Sequence, residues 1–354
     1  MIEEKVINKV GVIYLDRPKL INALNYETIK EIHETLEKWE DDDGIRAVLF
    51  DSQSEKGFCA GGDLKEIYND FLINDDCKEK DIFFKTEFDL DKYINSYKKP
   101  IISHWFGVTM GGGIGLTINS DFIIVDETVN WAMPETSLGF TPDVGVGFYI
   151  SKLPQAIGQY VGLCGASLVA SDLISYNLAD VYINSNDYEN LISKLYDLSS
   201  KYESDQLIDE FSKEAKKYEL KNDKSEIEKN KEKIEKNFSN SSFKKVYGGL
   251  EEDLDDGFAK KCYDTIKERD PFMLTLQFEK YFVCKELSYE ETVDLDLKIL
   301  QYAINKKSIN EGVRAKIIDK DNNPNWICRS LDDISIEEVK DLLSIDKTYE
   351  ERKW

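Results

Sequence analysis

Histidine is nearly missing from this sequence: His33 and His104 are the only two in 354 residues. Neither has a carboxylate or cysteine at ligand spacing. His33 falls in a polar helical stretch and His104 in an apolar strand, so both are read as structural. A hydrolase built on a Ser–His–Asp relay would lack its base. Cysteine is sparse and scattered, at 59, 77, 164, 262, 284 and 328, with no CxxC pair. That spacing excludes a disulfide framework and a zinc site, and no metal is expected. No apolar run approaches the length of a membrane-crossing helix. Met1-Ile2-Glu3-Glu4-Lys5-Val6 enters a strand at once, without the pattern of a signal or Arg-rich transit segment. The expectation from this start is a cytoplasmic protein with no membrane partner.

Positive charge is also short: 46 Lys and Arg stand against 69 Asp and Glu, a formal net charge of −23. Such a surface repels phosphate backbones and anionic lipid, which argues against nucleic acid as a partner. A small anionic ligand would have to be held by local donors, such as helix N-termini and a few Lys or Arg, against the global field.

What the chain does have is enough apolar material for a sizeable core, 41% hydrophobic and 12% aromatic. Residues 5–15 read as a hairpin of short strands, and 26–40 carry a helical period at Ile29, Ile32, Leu36 and Trp39. Strands are expected at 47–50, 100–106 and 122–125, with a helix over 81–98 and another opening at Gly111-Gly112-Gly113. This strand–turn–helix rhythm predicts an α/β core over residues 1–185. Residues 186–354 read as a second, mainly helical region packed on it, closed by an ordered segment around Trp326. Within it, 213–236 is dominated by Lys, Glu and Asn and reads as a solvated helix or a mobile connector.

Three segments carry chemistry. Phe58-Cys59-Ala60-Gly61-Gly62-Asp63 follows a strand, and Met110-Gly111-Gly112-Gly113-Ile114-Gly115 follows another and opens a helix. Glycine-rich turns of this kind bring backbone N–H groups close to a ligand, and two from separate loops can form an oxyanion hole. Neither fits a P-loop or a dinucleotide fingerprint. The third segment, residues 131–145, places Glu135 and Asp143 eight residues apart among apolar, Gly and Pro residues. Paired carboxylates in such a setting suit general acid and base work, because their surroundings can separate their proton affinities. Taken in isolation, a glycine-rich loop is more often only a tight turn, and the third segment more often a helix cap after Pro.

In this order, together with Leu15-Asp16-Arg17-Pro18-Lys19-Leu20, the segments resemble the enoyl-CoA hydratase/isomerase (crotonase) superfamily. Ala132-Met133-Pro134-Glu135-Thr136, Pro142-Asp143-Val144-Gly145, Asn310-Glu311-Gly312-Val313-Arg314 and Pro324-Asn325-Trp326 bring the match closer to its 3-hydroxyisobutyryl-CoA hydrolase branch. The resemblance is strong over 10–185 and 305–327. It implies a crotonase-like spiral of ββα units with a C-terminal α-helical region, and a thioester hydrolase of valine catabolism. No cofactor is implied beyond the coenzyme A carried by the acyl-CoA substrate. The family setting adds the mitochondrial matrix as a second compartment, and a homo-oligomer is compatible with it.

Residue by residue, the resemblance makes Ala60 and Gly112 the oxyanion donors and Glu135 the catalytic carboxylate. Asp143 binds the substrate hydroxyl and assists proton transfer, and Glu87 and Gly112 also contact substrate. Lys19, Leu20 and the loop Ala60, Gly61, Gly62, Asp63 hold coenzyme A. Hydratases of the superfamily place a second glutamate where this chain has Gly115, which disfavours an enoyl-CoA hydratase or isomerase. Thr141 and Val146 stand where the hydrolase branch more usually has Phe and Gly. A third reading, an inactive scaffold, would have no need of Glu87, Glu135, Asp143 and both glycine loops together.

Overall fold

A computed structural model describes residues 1–221 and 225–345. The chain divides into two compact units, 1–62 with 89–131 and 168–225, and 63–88 with 132–167 and 226–354.

The first unit is built on a six-stranded sheet. Its strands are β1 (Ile2–Ile7), β2 (Val10–Leu15), β3 (Ala47–Ser52), β4 (Ile101–Trp105), β6 (Phe122–Asp126) and β8 (Val181–Ile183). They lie in the order β1-β2-β3-β4-β6-β8. The β1–β2 pair is the antiparallel hairpin expected from the sequence, and every later pair is parallel. Two short strands, β5 (Val108–Met110) and β7 (Asn130–Ala132), pair apart from it. Parallel strands buried on both faces read as continuous apolar runs, as in Ala47-Val48-Leu49-Phe50.

One sheet face carries Val10, Val12, Leu49, Ile102 and Ile124, and against it pack Leu191, Leu195, Leu207 and Phe211. Those last four belong to the helices Tyr188–Ser199 and Ser204–Ala215. The division of the chain at residue 185 therefore does not follow the packing. The apolar stripes of these two helices complete the sheet's core, so 186–221 belongs with the strands. The helix Tyr26–Glu40 begins where expected, at Asn25, whose side chain accepts from Thr28 N at 3.0 Å. Its buried face is the predicted Ile29, Ile32, Leu36 and Trp39.

The second unit is helical. Its centre is Pro271–Cys284, started by Asp270, which accepts from Phe272 N at 2.9 Å, and by Pro271 at the first helical position. Burial around most of this helix marks it as interior. Against it pack Val146–Ile150, Gln155–Cys164, Phe243–Glu252 and Ile336–Leu343, and its Lys280 pairs with Asp296 of Tyr289–Asn305. The charged stretch 213–236 is more ordered than its composition suggests. Ile227 and Ile234, its isolated apolar residues, are buried anchors of the helices Glu226–Lys229 and Lys231–Phe238. Residues 222–224 of that stretch lie outside the described residues. Trp326 is buried, its indole N–H donating to Glu268 O at 3.0 Å.

Candidate active site

In the first unit the two glycine turns meet. The loop after β3 runs beside β5: Phe58 N donates to Phe106 O at 2.9 Å, Cys59 N to Val108 O at 3.0 Å, and Met110 N to Cys59 O at 2.9 Å. Gly61, at φ 90°, sits against the second turn. A Cβ there would stand 3.2 Å from Met110 O and 3.4 Å from Gly112 N, so only glycine allows this approach. The other side of the loop is pinned by Asn22, whose amide donates to Ser52 Oγ at 2.7 Å and Phe58 O at 2.8 Å.

This stitching corrects one assignment. The Ala60 N–H is already committed, donating to Ile21 O at 2.9 Å, and Ala60 is a structural link. Among the described residues, the N–H groups of Gly62 and Gly112 have no backbone acceptor. Gly112 opens the short helix Gly112–Gly115, where a first-turn N–H has no intrahelical partner. The backbone carbonyl of Ile21, directly after the Lys19–Leu20 turn, was the signal that sequence reading had no means of placing.

Lys19 and Leu20 lie on the exposed turn Pro18–Leu20 of this unit. Asp63, in the second unit, accepts from Glu66 N at 3.2 Å and caps the helix Leu64–Ile67. Glu87 is buried on the helix Ile82–Asn95.

The second unit holds the carboxyl pair. Glu135 opens the tight turn Glu135–Leu138 and is buried. Its Oε2 is shut away from solvent and hydrogen-bonded to nothing among the described residues. A buried carboxylate oxygen without a partner is expensive to maintain. The turn itself is fixed from several sides. Arg269 donates to the hydroxyl of Thr136, to Leu163 O at 2.9 Å and to Cys164 O at 2.7 Å. Gly139 ends the turn at φ 82°, where a Cβ would fall 2.3 Å from Ser308 O. The Asn310-Glu311-Gly312 motif thus belongs to the helix Ser308–Val313 that backs the turn.

Asp143 is buried in the segment 141–145 of the same unit. Lys280 donates to Pro142 O at 2.5 Å and to Thr141 Oγ1 at 3.4 Å, and Asp296 accepts from Gly145 N at 2.9 Å. Lys280 and Asp296 form a buried ion pair. The electrostatics follow from this enclosure. Burial, then the Asp143 carboxylate, pushes Glu135 well above the usual carboxylate range, against Lys280 and Arg269. Burial, then Asp296, pushes Asp143 up to about 8, against Lys280. The Asp143 charge raises the proton affinity of Glu135, so ionising both carboxyls together is unfavourable. Arg269, Lys280 and Asp296 escaped the sequence reading. A lone Lys in the apolar run Phe272–Cys284 was the one available sign. Among the described residues, no cluster of His, Cys, Asp or Glu could hold a metal. No helix among them is long and apolar enough to cross a membrane.

The enoyl-CoA hydratase/isomerase family profile matches residues 10–343. Mitochondrial 3-hydroxyisobutyryl-CoA hydrolase of Danio rerio is 33% identical over 322 residues, 90% of this chain and 83% of that protein. The enzyme of the same name from Homo sapiens is 30% identical over 344 residues, covering 95% of this chain and 87% of the human protein. Among solved structures, a carnitinyl-CoA dehydratase from Mycobacterium thermoresistibile superposes with a TM-score of 0.85 at 27% identity. That superposition covers 97% of this chain and 96% of the other. The fold is therefore the crotonase fold with a helical C-terminal region, and the chain belongs to the enoyl-CoA hydratase/isomerase family.

Proposed function

We propose that this protein hydrolyses the thioester of a short 3-hydroxyacyl-CoA, 3-hydroxyisobutyryl-CoA foremost, to the free acid and coenzyme A. The observation that carries the reading is the buried Glu135–Asp143 pair, with Glu135 Oε2 unpartnered. The similarity to enzymes named 3-hydroxyisobutyryl-CoA hydrolase supports the same substrate class.

In this reading the N–H groups of Gly62 and Gly112 donate to the thioester oxygen as it gains negative charge, each worth roughly 3 kcal/mol in the transition state. Glu135, ionised, either takes a proton from the attacking water or attacks the carbonyl carbon itself. The C–S bond breaks, and the coenzyme A thiolate leaves and takes up a proton. On the nucleophilic route water then hydrolyses the mixed anhydride formed with Glu135, and on either route the acyl group departs as its carboxylate. Asp143 binds the 3-hydroxyl and carries the proton that the leaving thiolate needs. Glu87 contacts the acyl portion, and Lys19, Leu20 and the 60–63 loop hold the adenine and pantetheine. No cofactor is required for this chemistry. The mitochondrial names of the relatives favour the matrix as its setting.

Hydration or isomerisation of an enoyl-CoA is the second reading, favoured by the similarity to the carnitinyl-CoA dehydratase of M. thermoresistibile. Gly115, where the superfamily's hydratases carry a second glutamate, weighs against it. Thiol release from acyl-CoAs with and without a 3-hydroxyl, run beside loss of enoyl absorbance on crotonyl-CoA, separates the two. Release of coenzyme A from 3-hydroxyisobutyryl-CoA is expected. Alkene hydration without thiol release would reverse the assignment.

A further inference from the structure

The segment that carries Asp143 is strained. Val144, a β-branched residue, has φ 51°, and Gly145 follows at 75°. Side chains that branch at Cβ rarely enter this left-handed region, and such a conformation persists only where the surroundings over-determine it. Here they do. On the N-terminal side Lys280 donates to Pro142 O at 2.5 Å and to Thr141 Oγ1 at 3.4 Å. On the C-terminal side Asp296 accepts from Gly145 N at 2.9 Å. Between them the Tyr289 hydroxyl donates to Val144 O at 3.3 Å. Lys280 and Asp296 also pair with each other, both fully buried, across the helices Pro271–Cys284 and Tyr289–Asn305.

We propose that Lys280 and Asp296 are positioning residues for Asp143: their ion pair clamps the strained backbone on either side of it and fixes its carboxyl where the 3-hydroxyl of the substrate is recognised. The proposal rests on the reading of Asp143 as the group that meets that hydroxyl. A buried ion pair is poor value as mere stabilisation, since apolar residues of the same volume often do as well. Its use here is registry. Each partner spends a hydrogen bond on the backbone of the same five-residue segment, and an apolar pair could make neither bond. The charged and titratable groups facing Asp143 are Lys280, Asp296 and Glu135, with Cys284 one turn beyond Lys280 and Tyr289 at the neighbouring carbonyl.

The arrangement predicts opposite electrostatic signatures for the two partners. In Asp296→Asn an anion beside Asp143 disappears while the Lys280 cation stays, so Asp143 ionises at lower pH. In Lys280→Met the anion stays alone, so Asp143 ionises at higher pH. Both variants should lose about tenfold or more in kcat/KM for a 3-hydroxyacyl thioester and less than about threefold for the deoxy analogue. Lys280→Arg, which keeps the charge and donors, should restore part of the loss. The experiment combines pH profiles of thiol release with a 13C NMR titration of labelled aspartate, the Asp143 signal assigned through Asp143→Asn. Should Lys280→Met fail to fold, Asp296→Asn and Lys280→Arg still decide the matter. Unmoved Asp143 titration in Asp296→Asn, or equal losses on both substrates, overturns the clamp. Wild-type protein that releases no thiol overturns the hydrolase reading instead, and the NMR titration still tests the clamp.

Discussion

Arg269 hydrogen-bonds the hydroxyl of Thr136, the residue next to Glu135, while the same guanidinium holds the carbonyls of Leu163 and Cys164. A cation planted in the second unit's interior thus fixes the turn that carries the carboxylate, and also draws down its proton affinity. The fork of Arg suits this double task in a way Lys would not.

Glu135→Gln keeps the shape of the turn and removes its base. Turnover on 3-hydroxyisobutyryl-CoA should fall by at least roughly 10² with KM changed little. Steady-state thiol release measures both; near-normal hydrolysis by the variant would remove Glu135 from the chemistry.

The same substitution should stabilise the protein at alkaline pH. Glu135 has a folded-state pKa raised above its unfolded value, chiefly by burial. Below the unfolded value of roughly 4.3 both states are protonated and no penalty exists; the penalty grows as pH rises toward the folded pKa. Glu135→Gln should therefore gain on the order of 1 kcal/mol, a few degrees of Tm, at pH 8 and nothing near pH 4. Urea melts at the two pH values test this, and equal gains at both would contradict it.

Asp143→Asn should slow the 3-hydroxy substrate more than its deoxy analogue, because a site built around a hydroxyl loses discrimination when its partner changes. A ratio of kcat/KM values that falls at least roughly tenfold is expected. An unchanged ratio would place Asp143 in the bond-breaking step alone.

Gly139→Ala should be among the more damaging single changes. The residue has φ 82° and its new Cβ would meet Ser308 O at 2.3 Å. Backbone strain and overlap together should cost at least about 2 kcal/mol and loosen the Glu135 turn, lowering kcat as well as Tm. Thermal melts beside thiol-release assays would reveal it, and wild-type values for both would show that the turn can shift without consequence.

In the first unit His104 lies between Asp126, with Nε2 3.3 Å from Oδ2, and Asp51, with Nδ1 3.6 Å from Oδ1. It stacks on Tyr188 with centroids 3.7 Å apart. Burial alone would lower its pKa, but the two aspartates outweigh burial and raise it. Stability from its charge is then complete below the unfolded value of roughly 6.5 and lost as pH rises through the folded pKa. His104→Gln should cost more at pH 6 than at pH 9 in urea unfolding. The reverse order would mean that the imidazole is neutral in the folded protein.

The legible parts of this protein were those with local signatures. The period of Ile29, Ile32, Leu36 and Trp39 fixed a helix, and the continuous run at 47–50 a buried parallel strand. Glu135 and Asp143 stood out because carboxylates are rare among apolar and Gly/Pro neighbours. Hidden were relations between distant residues: the Ala60 N–H taken by Ile21, and the two Asp143 clamps from residues more than a hundred positions later. The sheet's need for a cover also overrode the compositional boundary at 185, since nothing local to Leu191 or Phe211 says which surface their stripe will meet.

The interleaving of the two units has a consequence for synthesis. By residue 225 every strand of the sheet has been made, and the first unit can close upon itself. At that moment Glu135 and Asp143 are already on the chain, but Arg269, Lys280, Asp296 and Ser308 have not yet been translated. The segment 132–167 must wait, as an apolar stretch carrying two carboxyls, for partners that arrive last. Contacts of such sequence separation are slow to form. A nonsense or frameshift lesion late in the gene would therefore leave a chain able to build its sheet and unable to set its carboxyl pair, exposing the helix Gln155–Cys164 to aggregation and to quality-control proteases.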